Sequence, residues 1–121
     1  MHVSQMGGIT PARKAADMAH AYGIRTAWHG PPDTSPIGHA ANLHLDLWSP
    51  AFGVQEWYRP SELEYEMFPG LPVVENGYLY PNDLPGLGID IDERLARKHP
   101  VEDIVEEWTQ ARLPDGSATR P

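Results

Sequence analysis

"TAWHGPPDTSPIGHAANLHLDL", residues 26–47, decides how the whole chain is read. It opens on β-branched and aromatic residues, passes through a loop stiffened by Pro31, Pro32 and Pro36, and enters an amphipathic stretch. Ser35 followed by Pro36 is a helix start. A serine oxygen accepts from a free amide of the first turn, and proline at the first helical position lacks only an N–H that would have no partner there. The segment reads as strand, loop and helix, the strand over 24–30 and the helix over about 36–47. Ile37, Ala40, Ala41, His44, Leu45 and Trp48 share one face of that helix. The loop holds His29 and Asp33, an imidazole and a carboxylate separated by "GPP".

Upstream, "HVSQMGGI" at 2–9 reads as a strand running to a double glycine, and "TPARKAADMAHAYG" at 10–23 as a helix. Thr10 is its expected N-cap, Pro11 its first residue and Gly23 its end. Ala12, Ala15, Ala16, Ala19 and Tyr22 form a narrow stripe of mostly small residues, suited to close approach on a sheet. Downstream, "SPAFG" breaks the second helix and "VQEW" at 54–57 reads as a third strand. The order strand, helix, strand, helix, strand suits right-handed parallel crossovers.

After Trp57 the texture changes. Pro60, Pro69, Pro72, Pro81 and Pro85, with Gly70, Gly77, Gly86 and Gly88, leave no room for long elements. "PVVENGYLYP" at 72–81 suggests a hairpin about "ENG". "GIDIDERLARKHP" at 88–100 opens as a strand and drifts to helix, and "ARLPDGSATRP" reads as a frayed polar end. The chain therefore divides into 1–57, two and a half βα units, and 58–121, a Pro/Gly-rich segment.

Composition narrows the chemistry. The 121 residues contain no cysteine, which removes thiol nucleophiles, thiolate metal sites and disulfides and leaves His, Asp, Glu, Ser and Tyr to act. A net charge of -8 with only two lysines, Lys14 and Lys98, argues against a nucleic-acid surface. No apolar run approaches the roughly 18 residues of a membrane helix, and the N-terminus has neither a basic leader nor an apolar core. No membrane partner is expected, and cytoplasm is the default location.

Three parallel strands and two helices cannot cover both faces of a sheet. The chain also opens inside an apparent strand. It is therefore expected to be an incomplete α/β piece, the C-terminal part of an eight-fold (β/α) barrel whose full length is about 250 residues. Chemistry in such barrels sits where strands run into their following loops, which selects His29 and Asp33 after the second strand and Glu56 at the end of the third. The alternative is plain: Asp33 caps a turn and His29 is a satisfied polar residue at a strand end.

Other groups are weaker candidates. His39 and His44 lie about 140° apart on a helix, so they do not ligate one metal from the same face and are read as packing or surface residues. Gly7-Gly8 before a helix could cradle an anion, but it matches no spaced phosphate-binding pattern. Trp28 points opposite to His29 and is expected to pack between barrel and helices. Asp90, Asp92 and Glu93 fit no calcium-loop spacing and read as a solvated acidic turn.

"SQMGGITPARK", "TAWHGPPDTSPIGHAANLHLDL", "VQEW" and "ENGYLYPNDLPGLGIDIDE" together resemble the C-terminal part of the mannonate dehydratase group of the enolase superfamily, over His2 to about Pro100. Residues 101–121 match that group's usual ending less clearly. The resemblance implies an acid-sugar dehydratase that binds one Mg²⁺, removes the proton α to a sugar-acid carboxylate and expels the 3-hydroxyl, giving a 2-keto-3-deoxy acid. D-mannonate and D-gluconate are the implied substrates, and a homo-oligomer the implied parent. His29, Asp33 and Glu56 match substrate-contacting positions, and Pro31 a position linked to specificity and activity level. The metal carboxylates, the tyrosine base, the histidine acid, a substrate-binding arginine and an α/β capping domain lie upstream in the family, so no catalytic or metal-binding residue is assigned to this chain. Residues 58–121 are expected to pack on that capping domain. The opposing reading is a non-catalytic remnant or interaction fragment, inactive alone.

Overall fold

The computed structural model describes residues 1–101 and 112–117. Its elements in chain order are α1 (Ile9–Ala21), α2 (Pro36–Trp48), α3 (Glu62–Met67), β1 (Val73–Glu75), β2 (Tyr78–Tyr80) and α4 (Glu93–Ala96).

Helix α2 starts as its sequence dictates: the Gly38 amide donates to Ser35 Oγ at 3.2 Å and Pro36 opens the first turn. Helix α1 starts earlier than expected. Gly8, at φ 100, is its N-cap, and Thr10 lies inside the first turn without capping it. Only glycine adopts that backbone cheaply, and a first-turn Pro11 loses no hydrogen bond there. Gly23, at φ 67, follows the helix in the left-handed conformation that ends many helices.

Along α1 only Ala12 and Ala16 are fully buried, packed with Val3, Trp28 and Leu45, while Tyr22 is exposed rather than part of the stripe. On α2 the expected face is kept at Ala40, Ala41 and Leu45, but Ile37 and Trp48 are exposed. A second set, His39, Asn42, Leu43 and Asp46, is buried instead. Residues 52–58 and the hairpin flank α2 on that side, so the helix is covered on two faces.

The three expected strands survive only as short extended segments. Thr26 N donates to Ala51 O at 2.7 Å and Gly53 N to Thr26 O at 3.0 Å, a single parallel bridge between Thr26 and Phe52. His29 N donates to Met1 O at 2.6 Å on the other side, so 26–29 lies between 1–3 and 51–53. Residues 2–8 then coil into turns rather than continue as a strand. Pro31 and Pro32 have no amide hydrogen to extend the central segment, and at 54–57 the Glu56 side chain, not the backbone, takes the next donor, Gly30 N.

Beyond Trp57 order is local. Helix α3 was not anticipated; Ser61 and Glu64 close a reciprocal capping box at its start. The hairpin forms where "ENG" placed it, with Val73 opposite Tyr80 and Glu75 opposite Tyr78. Asn76 at φ 50 and Gly77 at φ 81 supply the two left-handed residues of the tight turn. "GIDID" forms no strand: Asp90 N and Asp92 N donate to Pro69 and Met67 carbonyls at the end of α3, and Asp92 caps α4. Of the C-terminal end read as frayed, 112–117 form a turn closed by Leu113 N to Ser117 O, and the rest lies outside the described residues. No described helix is long and apolar enough to cross a membrane.

Candidate functional site

The central extended segment delivers His29 and the third delivers Glu56 to one edge. Their closest approach is 4.0 Å between Nε2 and Oε2, with each side chain about half exposed. Glu56 Oε2 also accepts the Gly30 amide at 3.0 Å, which ties its carboxylate to the loop after His29. A Cβ at Gly30 would collide with the Glu56 carbonyl oxygen, so the close approach of the two segments requires glycine there. The Asn42 side-chain amide donates to the His29 carbonyl at 3.4 Å from α2.

Asp33 is exposed at the crest of the turn spanning 31–34, where Thr34 N donates to Pro31 O at 3.1 Å. The carboxylate beside His29 is therefore Glu56. Asp33 is exposed and makes no side-chain hydrogen bond among the described residues. Pro31 is half-buried, and its carbonyl also accepts from His39 Nε2 at 3.1 Å.

Two histidines complete the surroundings. His2, which the sequence did not single out, sets its ring edge-on to His29 at 5.6 Å and bonds Thr34 Oγ1 through Nε2 at 3.0 Å. His39 is fully buried, stacked on Tyr58 at 4.5 Å and edge-on to Trp57. Burial depresses its pKa, against smaller opposing effects of the Pro31 carbonyl and Glu64. Glu64 is in turn raised by burial but held below the usual carboxylate range by hydrogen bonds from Ser61 and Tyr58. The packing reading of His39 holds, and His44 is half-buried on α2.

Trp28 is wholly buried between the segments and the helices, as expected. Its indole lowers the pKa of the neighbouring Asp46, but burial outweighs it and pushes that carboxyl up to about 7. Neither the indole N–H nor either Asp46 oxygen closes a hydrogen bond of standard geometry. A cavity of about 560 Å³ between α2 and the hairpin is lined by Leu43, Asp46, Phe52, Trp57 and Leu79, apart from His29, Asp33 and Glu56.

The described residues bring no three His, Asp or Glu side chains together as a metal site. Asp90, Asp92 and Glu93 are exposed, with Asp92 spent on the α4 cap. The chemistry available at the edge is hydrogen bonding. An imidazole offers a donor or acceptor, and the Glu56 and Asp33 carboxylates offer acceptors for hydroxyl groups.

Known proteins match nearly the whole of this chain. A D-galactonate dehydratase family member from Enterococcus gallinarum is 56% identical over 100% of this chain and 30% of its own. A D-galactonate dehydratase family member from Salmonella enteritidis is 57% identical over 99% of this chain and 29% of its own. Among solved structures, an enolase from Pantoea ananatis with bound D-gluconate and Mg superposes with a TM-score of 0.84 at 56% identity, covering 99% of this chain and 29% of that one. A mandelate racemase/muconate lactonizing enzyme from Jannaschia sp. gives a TM-score of 0.72 at 31% identity, covering 82% of this chain and 25% of the other. The chain thus spans about 30% of the length of the curated relatives it matches. Those relatives carry the galactonate name, so the mannonate group specifically finds no support, whereas the superfamily and the partial barrel do. Residues 1–95 match the enolase C-terminal domain-like family, and the chain, with its parallel segments and covering helices forming part of a (β/α) barrel, belongs to that family.

Proposed function

We propose that the chain is the C-terminal part of a Mg²⁺-dependent acid-sugar dehydratase acting on D-gluconate, D-mannonate or a close epimer. The observation that carries this is the Pantoea ananatis enolase, 56% identical and with D-gluconate and Mg bound; the His29–Glu56 pair in this chain supports it. His29, Asp33 and Glu56 bind the substrate. The imidazole faces a hydroxyl or the sugar carboxylate, and the two carboxylates accept from hydroxyl groups. Pro31 shapes the loop between them and bears on which sugar acid is preferred.

Mg²⁺ in this reading stabilises the charge that develops when the proton α to the carboxylate leaves. The described residues do not fit the ion by themselves, so the chain's own part is to hold the sugar's hydroxyl end in one orientation. Residues 58–121 are proposed to pack on a capping domain. The exposed Tyr78, Tyr80 and Val73 of the hairpin support this.

The test is a chimera in which residues 1–120 replace the matching end of the Pantoea ananatis enolase. It should bind D-gluconate with the parent's affinity, and His29→Ala or Glu56→Ala should weaken binding roughly tenfold to a hundredfold, about 1 to 3 kcal/mol per unpaired group. A folded chimera that binds no sugar acid, or variants that bind as the parent does, would contradict the assignment. The second reading is a non-catalytic remnant; the absence of a metal-ligand cluster among the described residues is common to both readings, because the family's metal carboxylates lie upstream. The DNA upstream of Met1 separates the two: an in-frame extension bearing the metal carboxylates excludes the remnant, and a stop codon supports it.

A further inference from the structure

The turn that carries Asp33 is fastened at both ends by histidines. At its first residue, the Pro31 carbonyl accepts both from Thr34 N, closing the turn at 3.1 Å, and from His39 Nε2 at 3.1 Å. A carbonyl only accepts, so His39 must carry its proton on Nε2. That ring cannot swing away, because it is fully buried, stacked on Tyr58 at 4.5 Å and set edge-on to Trp57 at 5.1 Å. At the last residue of the turn, the buried Thr34 hydroxyl meets His2 Nε2 at 3.0 Å. The His2 ring also packs T-shaped against the His29 ring, their centroids 5.6 Å apart. One imidazole therefore touches both the end of the turn and the imidazole at the end of the central segment.

We propose that His2 and His39 are positioning residues: they clamp the 31–34 turn through Thr34 and Pro31 and so fix Asp33, and His2 fixes the His29 ring against the same turn. Neither makes contact with the sugar acid. An exposed carboxylate on a free turn would lose rotational and backbone freedom on meeting a ligand, whereas one on a turn anchored at both ends has lost it already. The prolines restrict the backbone of the loop but do not set where it lies on the body of the protein. The two histidines supply that placement from sites distant in sequence: His2 precedes the turn by a whole helix, and His39 follows it on α2.

The proposal rests on Asp33 and His29 being substrate-binding residues, and it is tested without any sugar acid, so its failure is distinguishable from failure of that reading. The experiment is ¹⁵N relaxation and imidazole NMR on the full chain and three variants. Thr34→Val keeps the side-chain shape and removes the hydroxyl that His2 holds. His39→Phe keeps an aromatic ring in the stack and removes the donor to Pro31. Asp92→Ala, which removes the side-chain cap of α4 and touches none of the residues that hold the turn, is the control for general loss of stability. The Asp33 amide should fall from an order parameter of about 0.85 to about 0.6 or below in both turn variants. The His29 ring resonances should move in Thr34→Val, and neither signal should change in Asp92→Ala. An Asp33 amide as rigid in Thr34→Val and His39→Phe as in the parent would overturn the clamp, and so would equal loosening in Asp92→Ala.

Discussion

Residues 1–57 and residues 58–101 are ordered by different forces. The first region holds nearly all of the buried apolar side chains, from Val3 and Ala12 through Trp28 and Leu45 to Ala51, whereas the second contributes only Leu71 and its neighbour Pro72. What the second region has instead is a chain of local hydrogen bonds: the Ser61–Glu64 box, the Asn76-Gly77 turn, and Asn82 donating to the Gly70 and Gly88 carbonyls. The first region is therefore expected to respond to changes of volume and the second to losses of single donors and acceptors. The proposed site residues lie in the volume-controlled region, on loops whose positions are set by what packs beneath them.

The largest expected effect is at the centre of the first region. Trp28→Ala removes a wholly buried indole from among Val3, Ala12, Ala16 and Leu45, and should cost about 3 to 5 kcal/mol, read by denaturant unfolding. A loss no greater than that of a cap mutation in the second region would break the division.

Next is the buried Asp46. Its carboxyl is raised from 3.8 to about 7 by burial, so the folded state favours the protonated form. Below its unfolded pKa both states are protonated and the stability is fully present. As pH rises from about 4 through 7 the unfolded chain ionises first, and up to about 4 kcal/mol is lost. The thermal midpoint should be higher at pH 5 than at pH 8, and Asp46→Asn should flatten that dependence and gain most above pH 7. A pH profile identical in the variant would place the titration elsewhere.

The smallest effect is in the second region. Ser61→Ala removes one half of the α3 capping box and should cost about 1 kcal/mol, confined to the order of α3 and its neighbour α4. Hydrogen exchange at 62–67 would show the change while the amides of α1 and α2 keep their protection. Loss of protection in both regions would mean that they unfold as one unit.

The same division explains what was legible in the sequence. The Ser35-Pro36 start and the hairpin turn are local signals, and both appear where they were read. The Ser61-x-x-Glu64 box was equally local and available, but proline density around it hid a helix of only one and a half turns. The strands were over-read because β-branched runs report a preference for extended backbone, while a parallel ladder depends on neighbours far away in the chain; here it amounts to one bridge. His29 and Glu56 were placed at one edge by the rule that strand ends carry function, and they do meet. Pairing Asp33 with His29 followed sequence nearness, whereas the carboxylate at the imidazole comes from the next segment. His2 and Asp46 were invisible for the same reason: their significance lies in Thr34 and Trp28, which are distant in sequence.

The most direct test of the central claim, that His29, Asp33 and Glu56 form the sugar-binding edge of a barrel, is a crystal structure of the Pantoea ananatis chimera soaked with D-gluconate. The account predicts sugar oxygens within about 3 Å of His29 Nε2 and of the Glu56 and Asp33 carboxylates, with Mg²⁺ held by residues outside this chain. Gluconate bound away from these three side chains, or Mg²⁺ ligated by Glu56, would contradict it.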